Sequence, residues 1–268
     1  MEKKKFGLSS STLHILAMAL MLCDHMCMTL FGNQHWLHYV GRIAYPIFAF
    51  MLVEGFIHTS NLKKYLLRLF CFALISEIPF DLMCGGTVPF VTQQNVLFTF
   101  ILSIFAMLLM EQPKKIKKPV AKYIVFAITA VFATVLGFLL GTLTMVDYFG
   151  GGVVIVIIFY LFQGDKILSF KVDYKKEWMR IAVLWVNRAI QALLLWNVFC
   201  EMIGGLCTNI TVFGKTFEVV VEAFGILALI PIWLYNGERG YKAKWFKYFN
   251  YAFYPAHIMI LWILMVIL

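Results

Sequence analysis

Nine runs of apolar residues, near 12–31, 41–59, 65–83, 95–111, 120–141, 148–163, 181–200, 217–235 and 250–268, leave little of this chain besides the loops between them. Most runs hold about 20 residues, and at ~1.5 Å of rise per residue a helix of that length crosses the ~30 Å of hydrocarbon in a bilayer. Inside lipid every backbone N–H and C=O must find its partner within the protein, which such a run achieves only as a helix. The expected fold is therefore all-α, a polytopic transmembrane helix bundle of about nine spans. The sixth run is short, and a tilted or broken helix is expected there. Composition agrees, because 14% of residues are charged and 62% hydrophobic, whereas a soluble domain is roughly a quarter charged. No Pro/Gly/Ser-rich linker separates one apolar block from the next, so residues 1–268 read as a single integral membrane domain.

The loops alternate in charge. Lys3–Lys5, Lys63/Lys64/Arg68, Lys114/Lys115/Lys117/Lys118/Lys122, Lys166/Lys171/Lys175/Lys176/Arg180 and Arg239/Lys242/Lys244/Lys247 hold 20 of the 23 lysines and arginines. The opposite loops, around 32–40, 84–94, 142–147 and 201–216, carry almost none beyond Lys215, with Arg42 at the edge of its helix. By the positive-inside rule the amino terminus is cytoplasmic and the carboxyl terminus lies outside. The net charge of +9 is thus a topology signal, and the partner it implies is the lipid bilayer; no nucleic acid is expected. The basic amino terminus followed by Leu13 to Phe31 lacks a small-residue cleavage site and is long enough to span, so it reads as a first helix. Six cysteines, without CxxC spacing or paired histidines, suggest free thiols and no metal. Cys84 with Cys200 or Cys207 is the one pairing the topology allows on the outer face.

An ionisable side chain at bilayer depth costs on the order of 2.5–3.5 kcal/mol, so each one needs a partner, a watery cavity or a function. This chain has many. Asp24 and His25 lie in the outer half of the first run, Arg42 opens the second, and Glu54 and His58 share a face of it at i,i+4. Glu77 and Asp81 repeat that spacing in the third run, Gln94 and Asn95 begin the fourth, Arg188 and Gln191 sit in the seventh, Glu222 in the eighth, and Tyr254 and His257 in the ninth. Sorted by depth they form an outer layer (Asp24, His25, Arg42, Glu77, Asp81, Gln94, Asn95) and an inner layer (Glu54, His58, Tyr254, His257). His14 and His38, near span ends, read as interfacial side chains without a role. Adjacent residues on a helix point about 100° apart, so Asp24 does not orient the His25 imidazole; a carboxylate from another helix is required, and Glu77 is the expected one. A histidine oriented in that way suits general-base chemistry on an amine or hydroxyl, and Arg42 suits a phosphate or an oxyanion.

The stretch Gly41-Arg-Ile-Ala-Tyr-Pro-Ile-Phe-Ala-Phe50, with Val53-Glu-Gly-Phe-Ile-His-Thr59, resembles the signature of TraX-type membrane proteins. The likeness continues through Tyr65-Leu-Leu-Arg68, Ser76-Glu-Ile-Pro-Phe-Asp81, Gln94-Asn-Val-Leu-Phe-Thr99, Asp147-Tyr148, Tyr235-Asn-Gly-Glu-Arg-Gly240 and Tyr254-Pro-Ala-His257. It covers nearly the whole chain, and Asp24-His25 stands where the family has its early Asp-His pair. The resemblance implies a bacterial plasma-membrane acyltransferase, since TraX is associated with amino-terminal acetylation of conjugative pilin and is similar to multi-span acyltransferases such as heparan glucosaminide acetyltransferase. On that likeness, acetyl-CoA or another acyl-CoA is the cytoplasmic co-substrate, and the acceptor at the outer face is a pilin-like peptide, an amine or a glycan. His25 would be the base or acyl carrier, supported by Asp24, Arg42 and Glu77. Glu54, His58, Tyr254 and His257 would line the cofactor's route, and Asp81, Gln94 and Asn95 would meet the acceptor. His257 matches the family as well as His25 does, so the histidine that performs the chemistry is open between them.

Two other classes fit the same polar layers: a transporter or channel for a small solute, and an assembly subunit without chemistry. A transporter favours a two-fold internal repeat with broken helices in matching positions, and nine spans divide unevenly.

Overall fold

The computed structural model describes residues 6–212, 214–241 and 243–268; Lys3–Lys5 and Lys242, part of the basic pattern behind the expected topology, lie outside the described residues. The chain runs through α1 (Ser10–Thr29), α2 (His35–Gly41), α3 (Ala44–His58), α4 (Leu62–Gly85), α5 (Val96–Glu111), α6 (Pro119–Leu143), α7 (Phe149–Leu161) and α8 (Glu177–Asn197). A hairpin of β1 (Cys207–Val212) and β2 (Lys215–Val220) follows, then α9 (Leu229–Trp233) and α10 (Lys244–Ile267).

Among the described residues six helices are long and apolar enough to cross a membrane: Ser10–Thr29, His35–His58, Val96–Lys115, Pro119–Leu143, Glu177–Ile203 and Tyr248–Ile267. The protein is a helical membrane protein; of the three expected spans outside these six, one is a long charged helix and two take another form. The 65–83 run lies within α4, whose 24 residues are long enough to span but carry Lys63, Lys64, Arg68, Glu77 and Asp81. The 148–163 run becomes the 13-residue α7, which at ~1.5 Å per residue is shorter than the hydrocarbon is thick. The 217–235 run is not one helix: its start belongs to β2, and a 3₁₀ segment over Val221–Ala228 leads into α9. Thr208, Ile210, Thr211, Thr216, Val219 and Val220 explain the strands, since β-branched side chains favour the pleated conformation. Gly214, at φ +77°, turns the hairpin.

The chain divides into two compact units, Met1–Glu54, Cys71–Val91 and Gly204–Leu268 in the first, Gly55–Phe70 and Thr92–Ile203 in the second. In the second unit α7 is the core, with every residue from Gly150 to Tyr160 buried. A helix that is apolar all round has no face for water or for a polar partner, so it goes to the centre, where α5, α6 and α8 pack on it. Its entry is held in place by polar contacts. Gln94 bridges to Val146, the Thr99 hydroxyl donates to the Asp147 carbonyl at 2.6 Å, and the Gln93 amide donates to the Asp147 carboxylate at 3.2 Å. The polar side chains of α8 close the other end: Gln191 donates to the Phe162 carbonyl at 2.9 Å, and Asn187 to those of Gly164 and Lys166 at 2.9 and 2.6 Å. At the same end Glu111 accepts from the Tyr160 hydroxyl and from Lys114, whose ammonium also lies 5.0 Å from the Tyr160 ring centre and 5.5 Å from that of Phe170.

All six cysteines are free thiols, so no bridge joins Cys84 to Cys200 or Cys207.

The α6–α7 contact depends on the absence of a side chain at Gly150, where a Cβ would sit 2.2 Å from the Phe138 carbonyl oxygen. Backbone cannot retreat as a flexible side chain does. Gly150→Ala is therefore expected to destabilise the protein by ~1–3 kcal/mol, the usual cost of overpacking, read as a lower midpoint of thermal unfolding in detergent.

Candidate functional site

The first unit is organised by α1, and its start is tied down by backbone. Leu8 donates to the Leu234 carbonyl at 2.8 Å and accepts from Asn236 at 3.0 Å, while Ser10 and Ser11 donate to the Glu238 and Arg239 carbonyls at 2.8 and 3.2 Å. The Ser9 hydroxyl caps the helix by accepting from the Thr12 amide, and the Ser11 hydroxyl accepts from Tyr241 at 3.0 Å. The Tyr235–Gly240 word is thus a strap across the beginning of α1, and α10 begins three residues after Tyr241.

This strap sets the depth of two histidines. His25 lies fifteen residues beyond Ser10 in α1, and His257 thirteen beyond Lys244 in α10, so both stand ~20 Å from a common level. Their rings stack with centroids 4.9 Å apart, and His25 Nδ1 is 2.7 Å from His257 Nε2. The expected assignment of His257 to a separate inner layer is corrected by this contact. That expectation started the ninth helix near residue 250, whereas α10 starts at Lys244 and its extra turns carry His257 to the level of His25. Tyr254 belongs to the same group, its ring 6.3 Å from that of His25 and 5.9 Å from that of His257.

The hydrogen bonds settle the tautomers of a neutral pair. His257 Nδ1 is 2.6 Å from the Phe253 carbonyl, which only accepts, so Nδ1 carries the proton and Nε2 is left as an acceptor. His25 must then donate from Nδ1, and its Nε2 holds the free lone pair. The group that orients His25 through Nδ1 is thus His257, where a carboxylate from Glu77 had been expected.

Asp24, the next residue, turns to other partners. Its carboxylate accepts from His38 Nδ1 at 2.8 Å and from Arg42 Nη2, and Arg42 Nη1 is 3.9 Å from Glu222. Gly41 makes this possible, because a Cβ there would lie 2.3 Å from that of Asp24. Only a residue without a side chain lets the end of α2 approach α1 so closely. Tyr39, on the same helix, stacks on Phe224 at 5.0 Å and pairs its hydroxyl with that of Thr208 at 2.8 Å, holding the hairpin and the segment of Glu222 beside the cluster.

The remaining candidates divide. Glu54 accepts from the Tyr235 phenol, which burial, with Glu54 beside it, pushes well above its ordinary pKa, so that it stays a donor. Asp81 is buried, and its Oδ1 has no hydrogen-bond partner among the described residues; Glu77 is half-buried on the same helix. His58, Gln94 and Asn95 belong to the second unit, where Asn95 caps α5 by accepting from Leu97 at 3.0 Å. Two residues without an expected role join the cluster, His38 and Glu222. The signal for His38 was its place four residues before Arg42, one helical turn away; Glu222 had stood out only as an ionisable residue in an apolar run, with nothing local to link it to Arg42. Among the described residues no group of three or more His, Cys, Asp or Glu could hold a metal ion.

Residues 9–265 match the family described as TraX protein. A probable fimbrial assembly protein, FimC of serogroup H1, from Dichelobacter nodosus is 27% identical over 270 residues, covering 96% of each chain. No solved structure matches.

In the Asp24–Arg42 pair the carboxylate is buried and the guanidinium largely so, and removing one member of such a pair strands the other charge. Asp24→Asn is expected to cost ~3–5 kcal/mol, and Arg42→Gln added to it should return part of that stability. Thermal unfolding of the wild type, Asp24→Asn and the double variant in one detergent measures both effects.

Proposed function

The chain belongs to the TraX protein family, and on that premise we propose that it is a pilin-modifying acyltransferase of the bacterial plasma membrane. It moves an acyl group, in the simplest case acetyl, from cytoplasmic acyl-CoA to an amine on a pilus subunit at the outer face. The similarity to a fimbrial assembly protein supports the class of acceptor.

The observation that carries the chemistry is the run of hydrogen bonds from the Phe253 carbonyl through His257 to His25. It leaves Nε2 of His25 as a lone pair with its ring fixed in direction, which is what a general base requires. The acceptor nitrogen attacks the thioester carbon, the C–N bond forms, and Nε2 takes the proton that the amine gives up. The C–S bond then breaks, and the same proton goes to the departing sulfur, so coenzyme A leaves as a thiol. While His25 is an imidazolium, Nδ1–H continues to donate to His257. His257 acts as a positioning residue. Arg42 holds Asp24 and reaches Glu222, and its role is to keep that carboxylate in place.

The test is acetyl transfer from labelled acetyl-CoA to peptides with a free terminal amine, catalysed by the detergent-purified protein. His25→Ala is expected to lower the rate by about 10²–10⁴, the range for loss of a general base, with acetyl-CoA binding retained. His257→Ala should lower kcat with little change in KM. His257→Gln, whose amide oxygen can accept from Nδ1–H, should recover part of the loss. Full activity in His25→Ala removes the mechanism.

A further inference from the structure

The loop between α7 and α8 and the first turns of α8 form a groove of about 440 Å³. Its walls are apolar, made by Ile167, Val172, Trp178, Met179, Ala182 and Val183, and Tyr174, Lys175 and Asp173 stand on its rim. Neither histidine, nor any residue of the Asp24 cluster, takes part in it.

The charges around the groove differ in how they are used. Arg180 is occupied by Glu177 at 2.5 Å and Asp165 at 3.3 Å, Lys166 by Gln163, and Lys114 by Glu111. Among the described residues the ammonium groups of Lys171, Lys175 and Lys176 have no hydrogen-bond or ion-pair partner, and all three are exposed. Asp173 lies between them, and the rim is positive despite it. One of these unused cations, Lys175, lines the apolar trough, and Lys171 and Lys176 flank its lining residues in the chain.

The position of the trough identifies what fills it. α8 begins one of the six helices long and apolar enough to cross a membrane, and the groove is built on its first two turns and the basic loop before it. Trp178 is 64% exposed and Trp185 58%, large apolar surfaces on a helix whose surroundings are lipid. Tyr174 and Trp178 are the residue types that settle at the interface. The loop is also one of the basic segments assigned to the cytoplasmic side. An anion that carries its own hydrocarbon, and approaches from within the bilayer, meets both the trough and the lysines.

We infer that this groove is a binding site for one anionic phospholipid of the cytoplasmic leaflet, with an acyl chain along Val172, Trp178 and Val183 and the phosphate held by Lys175 and Lys176. Basic residues at the ends of spanning helices recognise acidic headgroups by charge, and the trough adds a fixed place for the chain. The site is independent of the acyltransferase chemistry, and its failure would leave that reading untouched.

Native mass spectrometry of the full chain in detergent, with equal amounts of phosphatidylglycerol and phosphatidylcholine of the same chain length, tests it. The wild type should retain phosphatidylglycerol preferentially, by roughly fivefold for each engaged lysine. The double variant Lys175→Gln/Lys176→Gln should lose most of that preference with the same unfolding temperature. Ala182→Phe, which fills the trough and leaves the lysines intact, should weaken retention of both lipids. Equal retention by the wild type, or an unchanged preference in the lysine variant, overturns the proposal. Stronger retention of palmitoyl-CoA than of phosphatidylglycerol, lost in the same variants, also overturns it by assigning the groove to a soluble thioester.

Discussion

A carboxylate on a helix in hydrocarbon has no water to turn to, and Asp24 is that carboxylate. Arg42 and His38 satisfy it, and they reach it only because Gly41 lets α2 lie against α1. That one requirement fixes the first two helices relative to each other, brings Glu222 to the same guanidinium, and leaves the next residue, His25, facing elsewhere. What His25 meets is decided at the far end of α1, where the Tyr235–Gly240 strap sets α10 at the same depth. The paired histidines are thus the result of two constraints acting at opposite ends of one helix.

Several other buried polar groups serve packing. In the second unit, the amides of Asn187 and Gln191 close the carbonyls at the end of α7 and just beyond it, and Asn95 caps α5. Lys114, read from the sequence as one of the basic residues that set topology, is enclosed by Glu111, Tyr160 and two further rings. Polar residues in a membrane protein divide between chemistry and the satisfaction of backbone, and depth alone does not sort them. Partners do: Nε2 of His25 keeps a lone pair, whereas Gln191 spends its amide on a carbonyl.

Helix number was less legible than helix character. Length and hydropathy found the long apolar segments, and the 65–83 run is a helix as expected, although a charged one; but a first misreading made α7 a possible span and another joined β2 to α9 as one helix. The second error has a local cause, because a β-branched apolar run satisfies a hydropathy window whether it folds as helix or strand. The candidate residues fared in a similar way. Asp24, His25, Arg42, Tyr254 and His257 stood out as polar or ionisable groups in apolar surroundings, and they do come together; Glu222 carried no mark that distinguished it from Glu77.

The sequence by itself determined the solvent, the helical class, the family and the short set of residues from which a site can be made, because hydropathy and rare polar words are local properties of the chain. Only the tertiary structure decided which of those residues meet. His257 was placed a layer away from His25 by counting along one segment, and the true start of α10, tied to α1 by hydrogen bonds more than two hundred residues apart in sequence, put them ring to ring. The roles of the two histidines follow from that contact and from the Phe253 carbonyl that fixes one proton, and pairing between distant helices is not written in any single segment.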